Sequence, residues 1–358
     1  MGSWQAQGYN SGMMATKPIF SVGPVPIYGD TILAPMAHFS DVPFRGVCRA
    51  FGSAMNYTEF VPANALLQQP NPMWRRLDGK LGGERPLVFQ IFGADTQELV
   101  AAAVRIAAWG PDIIDINMGC SVPQISEQGA GVGLMRQPAQ VAQLFRQLSA
   151  QLPIPVTGKI RLGWDDESRN YLQIARVMEE NGAALIAVHG RTKTQKYSGE
   201  ADWEAIARLK QSVSVPIIGN GDIRTVADIE RMKAYTGCDA VMIGRAAVGN
   251  PWLFARQERE LLTFPQITAV ARTHLQEMLT YYGNPEGLVR FRPHWRQYCA
   301  GLALKRFVQP MLVTEDVAHF LALLAELETA VPADELLVTL QNRTWFAQPP
   351  LFRTPTLC

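Results

Sequence analysis

An amide, a thiol and a run of glycines stand close together in one short stretch of this sequence. Asn117 and Cys120 belong to the hexapeptide DINMGC, residues 115–120, and the glycine-rich stretch 128–133 follows. The apolar residues before Asn117 read as a strand, so both side chains fall at the strand's C-terminal end, where alternating α/β folds carry their chemistry. An amide there can recognise a base, and a thiol can serve as a proton donor on a loop that glycines leave free to adjust. An unperturbed cysteine has a pKa near about 8.5 and is mostly protonated at neutral pH, which suits an acid better than a nucleophile. Lys159 and His189 end two further apolar runs, each with an arginine two positions on, Arg161 and Arg191. Taken singly these residues leave blander readings open: a buried small cysteine, a solvated lysine beside a satisfied histidine, turns that are only turns.

The elements that must hold them form a regular alternation. Eight compact apolar runs read as strands, at 32–34, 55–58, 87–91, 113–116, 156–160, 185–188, 215–218 and 240–243. Amphipathic segments between them, such as 96–109, 138–151, 168–181 and 225–236, suit an outer helical layer. This rhythm predicts an α/β TIM barrel, (β/α)8, preceded by a short hairpin around 20–30; a doubly wound open sheet has a similar local rhythm. After about residue 254 the pattern changes to helical segments at 267–282, 290–308 and 315–328, with breaks at 284–287 and 309–314. The expected organisation is a catalytic barrel over 16–255, an appended C-terminal helical domain over 256–341, and an extended or disordered tail over 342–358. Residues 1–15, rich in Gly, Ser, Asn and Gln, carry no expected site.

Seven separated motifs occur in one order: APM at 34–36, QIFG at 90–93, DINMGC at 115–120, GKIRLGW at 158–164, HGRT at 189–192, GNGDI at 219–223 and MIGR at 242–245. In this series the chain resembles the bacterial-type tRNA-dihydrouridine synthase family, across the barrel and its helical appendix. The resemblance implies an FMN-dependent reductase that uses NADPH to convert a uridine in tRNA to 5,6-dihydrouridine. A hydride would pass from flavin N5 to uracil C6 and a proton from Cys120 to C5. It implies that Cys120 is the active-site cysteine and that Asn117 helps present the uracil. It further implies that Pro35, Met36, Gln90, Lys159 and His189 contact the flavin and that Arg191 faces the substrate. Bound FMN also needs phosphate recognition, for which Asn220 with Gly221 and Gly244 with Arg245 stand after the seventh and eighth strands. Two features depart from the family pattern: Ser121 follows Cys120 where proline is common, and 122–124 lacks the lysine often found there.

Charge gives no global signal for nucleic acid, since the formal net charge is +1 at pH 7. Locally, however, the stretch 288–314 has no Asp or Glu and carries Arg290, Arg292, Arg296, Lys305 and Arg306. Arg292 and Arg296 share a helical face, with Phe291, Trp295, Tyr298 and Phe307 interleaved as apolar or stacking surface, so this stripe is the candidate tRNA contact. Five widely spaced cysteines form neither a metal cluster nor a disulfide framework. No uninterrupted apolar segment is long enough for a membrane, and the start lacks a secretory pattern. A cytoplasmic enzyme with no obligate protein partner and no metal is expected. A flavoenzyme reducing a free pyrimidine or other small conjugated molecule, or a noncatalytic RNA-binding protein, remain the alternatives.

Overall fold

The computed structural model describes residues 17–68, 84–302 and 305–338. The expectations for residues 1–15 and the 342–358 tail lie outside the described residues, as do those for the side chains of Lys305 and Arg306. By compactness the chain divides between Gly244 and Arg245, ahead of the boundary expected at 255–256.

The first unit is a closed barrel of parallel strands. A two-stranded hairpin, β1 (Phe20–Val22) and β2 (Val25–Ile27), comes first. The barrel strands are β3 (Thr31–Leu33), β4 (Met55–Tyr57), β6 (Leu87–Phe92), β7 (Ile113–Met118), β8 (Val156–Ile160), β9 (Ile186–His189), β10 (Ile217–Asn220) and β11 (Ala240–Ile243). The short piece β5 (Val61–Pro62) extends the edge of β6, pairing of β11 with β3 joins last strand to first, and pairing of β4 with β6 closes the ring. All eight expected strands are present within two residues of their expected starts, and the sheet is a TIM barrel rather than an open doubly wound sheet.

Side chains along these strands alternate between the barrel interior and the helical layer. The interior cluster joins Ile32, Tyr57, Val88, Ile113, Ala187, Ile218, Ala240 and Met242. Phe20, Val22 and Ile27 of the hairpin belong to the same cluster, so the hairpin plugs the barrel. Because Gly23 of the hairpin turn lies against Pro155, just before β8, the plug sits at the N-terminal end and leaves the C-terminal rim open for function. Helices start where acceptors stop the first turn from fraying. Asp41 accepts from Phe44 N ahead of α1 (Val42–Ala50), Asp95 from Glu98 N ahead of α3 (Thr96–Ala107), and Thr225 with Asp228 forms a capping box for α8 (Val226–Thr236).

One ion pair ties the first strand–helix unit to the entry of β6. Arg45 on α1 donates from Nε to Glu84 at 2.8 Å and from Nη1 to the Ser40 carbonyl, and Asn56 donates to the same carboxylate at 3.2 Å. Both charged side chains are essentially inaccessible to water.

The second unit is helical: α9 (Phe264–Tyr282), α10 (Glu286–Tyr298), α11 (Lys305–Met311) and α12 (Val317–Ala330). The single helix expected over 290–308 is a misreading. The chain starts that helix four residues earlier, ends it at Tyr298 and turns through Gly301, whose φ of +85° suits glycine. The buried Arg259 fixes this end by donating to the Tyr298 and Ala300 carbonyls at 2.7 and 3.1 Å. Among the described residues no helix is long and apolar enough to cross a membrane.

Removing one partner of a buried ion pair typically costs about 3–5 kcal/mol. Glu84→Ala is therefore expected to lower the melting temperature of the barrel unit by about 10 °C, given about 2–4 °C per kcal/mol for a unit of its size. Glu84→Gln, which keeps an acceptor for Arg45, should lose less. Circular dichroism melts of the three proteins provide the comparison.

Candidate active site

The rim of the barrel becomes polar one alternation beyond its apolar interior. Val88 is followed inward by Gln90, Ile113 by Asp115 and then Asn117, Ala187 by His189, and Ile218 by Asn220. Register then aligns them: Gln90 pairs with Asp115, Asp115 with Thr157, and Asn117 with Lys159. One hydrogen-bonded set results. Gln90 Nε2 donates to Asp115 Oδ2 at 2.7 Å, and Thr157 Oγ1 donates to Asp115 Oδ1 at 2.6 Å. Asn117 Nδ2 donates to Gln90 Oε1 at 2.8 Å, while Asn117 Oδ1 accepts from the Gly119 and Cys120 amides at 3.0 and 2.9 Å.

The Cys120 turn is held from several sides. Arg161 Nε donates to the Gly119 carbonyl at 2.8 Å, and Val132 N donates to the Cys120 carbonyl at 3.1 Å. Gly131, at φ +55°, lies so close that a Cβ there would meet the Cys120 carbonyl oxygen at 2.8 Å; a Cβ on Gly133 would collide with the Ser126 carbonyl oxygen. The glycine-rich stretch is thus packed under the cysteine. Among the described cysteines only Cys120 is not buried, and it forms no disulfide.

Lys159 Nζ donates to Asn220 Oδ1 at 3.2 Å, and Asn220 Nδ2 donates to the Met242 carbonyl at 2.8 Å. Burial lowers the Lys159 pKa to about 8, assisted by Arg161 and opposed by Asp115 and Cys120. Burial likewise raises the Asp115 carboxyl to about 6, against the Thr157 and Gln90 hydrogen bonds and the Lys159 charge. His189 is buried at the end of β9, under Gly221, where a Cβ would stand 2.9 Å from its ring. Arg191 is placed otherwise than its expected substrate-facing role requires. It is 1% exposed, and it donates to the Ser198 and Gly199 carbonyls and to both oxygens of Asp222 at 2.8 and 2.7 Å. It clamps the loop after β9 onto the turn after β10, where Asp222 sits at φ +58°. The Pro35–Met36 turn is pinned by Ser40, which receives Met36 N and donates to the Ala34 carbonyl, and by buried Glu59, which receives His38 N at 2.7 Å.

The chain's own residues fit a flavin. A Cβ on Gly244 would make only ordinary contacts with Ala34 and Met36 at 3.7 and 3.8 Å, so the glycine leaves room beside that turn which no neighbouring protein atom requires. Lys159 brings a cation suited to an anionic ring, and Gln90 keeps one amide hydrogen beyond the one given to Asp115. Asn220, whose backbone is expected at the phosphate, commits both ends of its side-chain amide to Lys159 and the Met242 carbonyl. Gly221 and Gly244 stand at the ends of β10 and β11, and Arg245 opens the turn that begins the second unit.

In the second unit Arg296 is exposed on α10, whereas Arg292 is half-buried and donates to the Val313 and Thr314 carbonyls at 3.0 and 3.3 Å. Phe291, Trp295 and Tyr298, expected as possible stacking surface, are completely buried. They pack with His274 and Phe320 as the core of the unit. Sequence reasoning missed Asp115, Thr157, Glu59 and Asp222 as parts of the site. Asp115 and Thr157 carried a signal: each lies two residues before an identified site residue on a strand.

Lys159 loses proton affinity on folding, so the stability it contributes is full only above its unfolded pKa of 10.5 and falls as pH drops toward 8. At pH 7 its charge therefore costs stability. Lys159→Met should raise the unfolding free energy of flavin-free protein at pH 7 by roughly 1–3 kcal/mol, and that gain should shrink between pH 8 and 10. Urea titrations across this range read it directly; a gain independent of pH would disprove the buried-cation account.

Comparison with known proteins agrees with this architecture. The family model described as dihydrouridine synthase (Dus) matches residues 32–331. The chain is 38% identical over 294 residues to a tRNA-dihydrouridine synthase B of Pseudomonas aeruginosa, covering 79% of this chain and 88% of that protein. It is 36% identical over 314 residues to a probable tRNA-dihydrouridine synthase of Mycobacterium tuberculosis, covering 81% and 80%. Among solved structures, histamine dehydrogenase from Rhizobium sp. 4-9 superposes with a TM-score of 0.54 at 13% identity, over 80% of this chain and 51% of that one. A 2-naphthoyl-CoA reductase superposes with a TM-score of 0.55 at 10% identity, over 67% and 51%; both likenesses concern the fold alone. With the family model spanning the barrel and most of the helical unit, the chain belongs to the dihydrouridine synthase family of flavin-dependent oxidoreductases.

Proposed function

We propose that this protein reduces a uridine in tRNA to 5,6-dihydrouridine, with FMN held at the barrel rim and NADPH as the external reductant. The observation that carries the reading is the half-buried Cys120 thiol, held by Asn117 and Arg161 on a turn at the C-terminal end of β7, within the electrostatic reach of Lys159. FMN bound there supplies, after reduction by NADPH, the hydride that uracil C6 takes. All other steps belong to the chain.

Pro35, Met36, Gln90, Lys159 and His189 hold the flavin, and Asn220, Gly221, Gly244 and Arg245 hold its phosphate, Asn220 through its backbone while its side chain acts on Lys159. As C6 accepts the hydride, the C5–C6 π electrons move to C5. Cys120 gives its thiol proton to C5, leaving a thiolate that solvent reprotonates. Lys159 steadies that thiolate by its charge. Asn117, whose oxygen is committed to the Cys120 turn, meets the uracil with its remaining amide hydrogen, and so contacts a carbonyl oxygen rather than a ring N–H. Arg191 acts through the loop it clamps. The helical segment 256–341 serves as the tRNA-binding domain and 16–255 as the catalytic barrel, with Arg292 and Arg296 on the helical segment's basic stripe. The protein acts in the cytoplasm.

Cys120→Ala should retain NADPH-driven flavin reduction but lose about 10² to 10⁴-fold in dihydrouridine formation. The substrate is tRNA from cells lacking their own dihydrouridine synthases. RNA mass spectrometry reads the two-dalton gain, and anaerobic absorbance follows the flavin. Parent protein inactive on every such tRNA defeats the function; full turnover by Cys120→Ala defeats only the proton-donor role.

The two arginines should separate. Arg296→Ala is expected to weaken tRNA binding at low salt, with a loss that shrinks at high salt and an unchanged melting temperature. Arg292→Ala should lower the melting temperature as well, because two carbonyls lose their donor. Binding and melting curves of both variants decide the division.

A further inference from the structure

Two side-chain amides face the centre of the site, and an amide can point either way round. Its oxygen only accepts and its nitrogen only donates, so an isolated Gln or Asn is free to flip. Here Gln90 is held between Asp115 and Asn117, and Asn117 between Gln90 and the turn that carries Cys120. Every donor runs toward Asp115. The Gly119 and Cys120 amides donate to Asn117, Asn117 to Gln90, Gln90 to Asp115, and Thr157 to Asp115 from the far side.

We propose that the Asp115 carboxylate is a positioning residue: by accepting from Gln90 it fixes the orientation of both amides, so that each offers the bound ligands only N–H. A carboxylate cannot donate, so Gln90 must turn its nitrogen to Asp115 and its oxygen to Asn117. Asn117 must then turn its nitrogen to Gln90 and its oxygen to the backbone of the Cys120 turn. One hydrogen remains on each amide nitrogen, with no second acceptor among the described residues. The wiring requires none of the chemistry under "Proposed function"; its consequence for uracil, donors facing carbonyl oxygens that gain electron density during reduction, rests on that reading.

The arrangement has a mirror image that tests it. Asn117→Asp removes the donor that Gln90 Oε1 needs; turning Gln90 round to suit the new carboxylate would aim its oxygen at Asp115. Adding Asp115→Asn relieves the conflict. The carboxylate now at position 117 still receives the Gly119 and Cys120 amides, and a turned Gln90 donates to it. The amide now at position 115 donates to Gln90 while accepting from Thr157. All bonds re-form, the two made by Gln90 with their direction reversed. Because two nearby carboxylates also repel, Asp115→Leu, matched in size, serves as the comparison: it removes the charge without supplying a donor.

Melting temperatures are measured at pH 7.5 for the parent, the single variants and the two double variants, in flavin-free protein. The expected result is a loss of about 5 °C or more for Asn117→Asp, corresponding to one or two buried unsatisfied groups. Asp115→Asn should recover at least half of it, beyond any change it makes in the parent, and Asp115→Leu should not. With unmodified tRNA and NADPH, the restored double variant should still form dihydrouridine at least about tenfold more slowly than the parent, because position 117 no longer offers an N–H, while flavin reduction persists. The proposal is overturned if Asn117→Asp melts like the parent, if Asp115→Asn brings no recovery, if Asp115→Leu recovers as much, or if the restored variant turns over tRNA at the parental rate beside an active parent. An inactive parent with the stability pattern intact would overturn the function and leave the wiring standing.

Discussion

A carboxylate buried inside the barrel constrains everything above it. Asp115 is wholly inaccessible, and an ion in that position is tolerated only with hydrogen bonds in place of its lost water. Thr157 and Gln90 supply them, and once Gln90 is committed, Asn117 and then the Cys120 turn have one arrangement left. The interior below carries no such charge, being filled mostly by aliphatic side chains, with Tyr57, and by the hairpin plug. The boundary between these regions is a single step of strand alternation. It is where a stable barrel becomes a reactive one.

The polar rim is held at a cost in stability. The Asp115 pKa of about 6 means that its folding contribution is full below 3.8 and lost as pH rises through 6. Lys159, at about 8, has its full contribution only above 10.5. Near neutrality both groups are ionised in the less stable regime, which a fold would not retain for packing alone. Strain is distributed in the same region. His38 and Asp222 both have positive φ, and each lies in a turn fixed by a carboxylate, Glu59 receiving His38 N and Asp222 itself receiving Arg191 and Ala201 N. Three acids that never need to touch a ligand thus determine where the ligand-facing atoms stand.

The barrel was legible because its strands are short apolar runs with punctuated ends, a signal set by local sequence. Cys120, Asn117 and Lys159 were legible for a related reason, since each follows such a run directly. Their hydrogen-bond partners were harder to see: that Gln90 meets Asp115 and Asn117 depends on register between strands distant in sequence, and a conservative apolar reading of residues 113–116 passes over the acid. Arg191 shows the same gap. A rim arginine has the right type for a substrate, but Asp222, thirty-one residues later, takes its guanidinium, and no local pattern announces that pairing.

Composition was least informative in the helical unit. An acid-free stretch with interleaved aromatics describes an RNA surface and a bundle core equally well, because helical periodicity puts both on one segment. The structure separates them by face: Phe291, Trp295 and Tyr298 turn inward, Arg296 turns outward, and Arg292 lies between, committing its donors to two carbonyls at the start of the connection to α12. The helix expected to run unbroken to residue 308 stops at Tyr298, where the chain turns through Gly301 and Arg259, distant in sequence, takes the Tyr298 and Ala300 carbonyls. An arginine that caps a helix and one that meets a phosphate use the same fork of donors. Only the position of the nearest acceptors decides which it does, so counts of basic residues overestimate the surface left for nucleic acid wherever short helices end against one another.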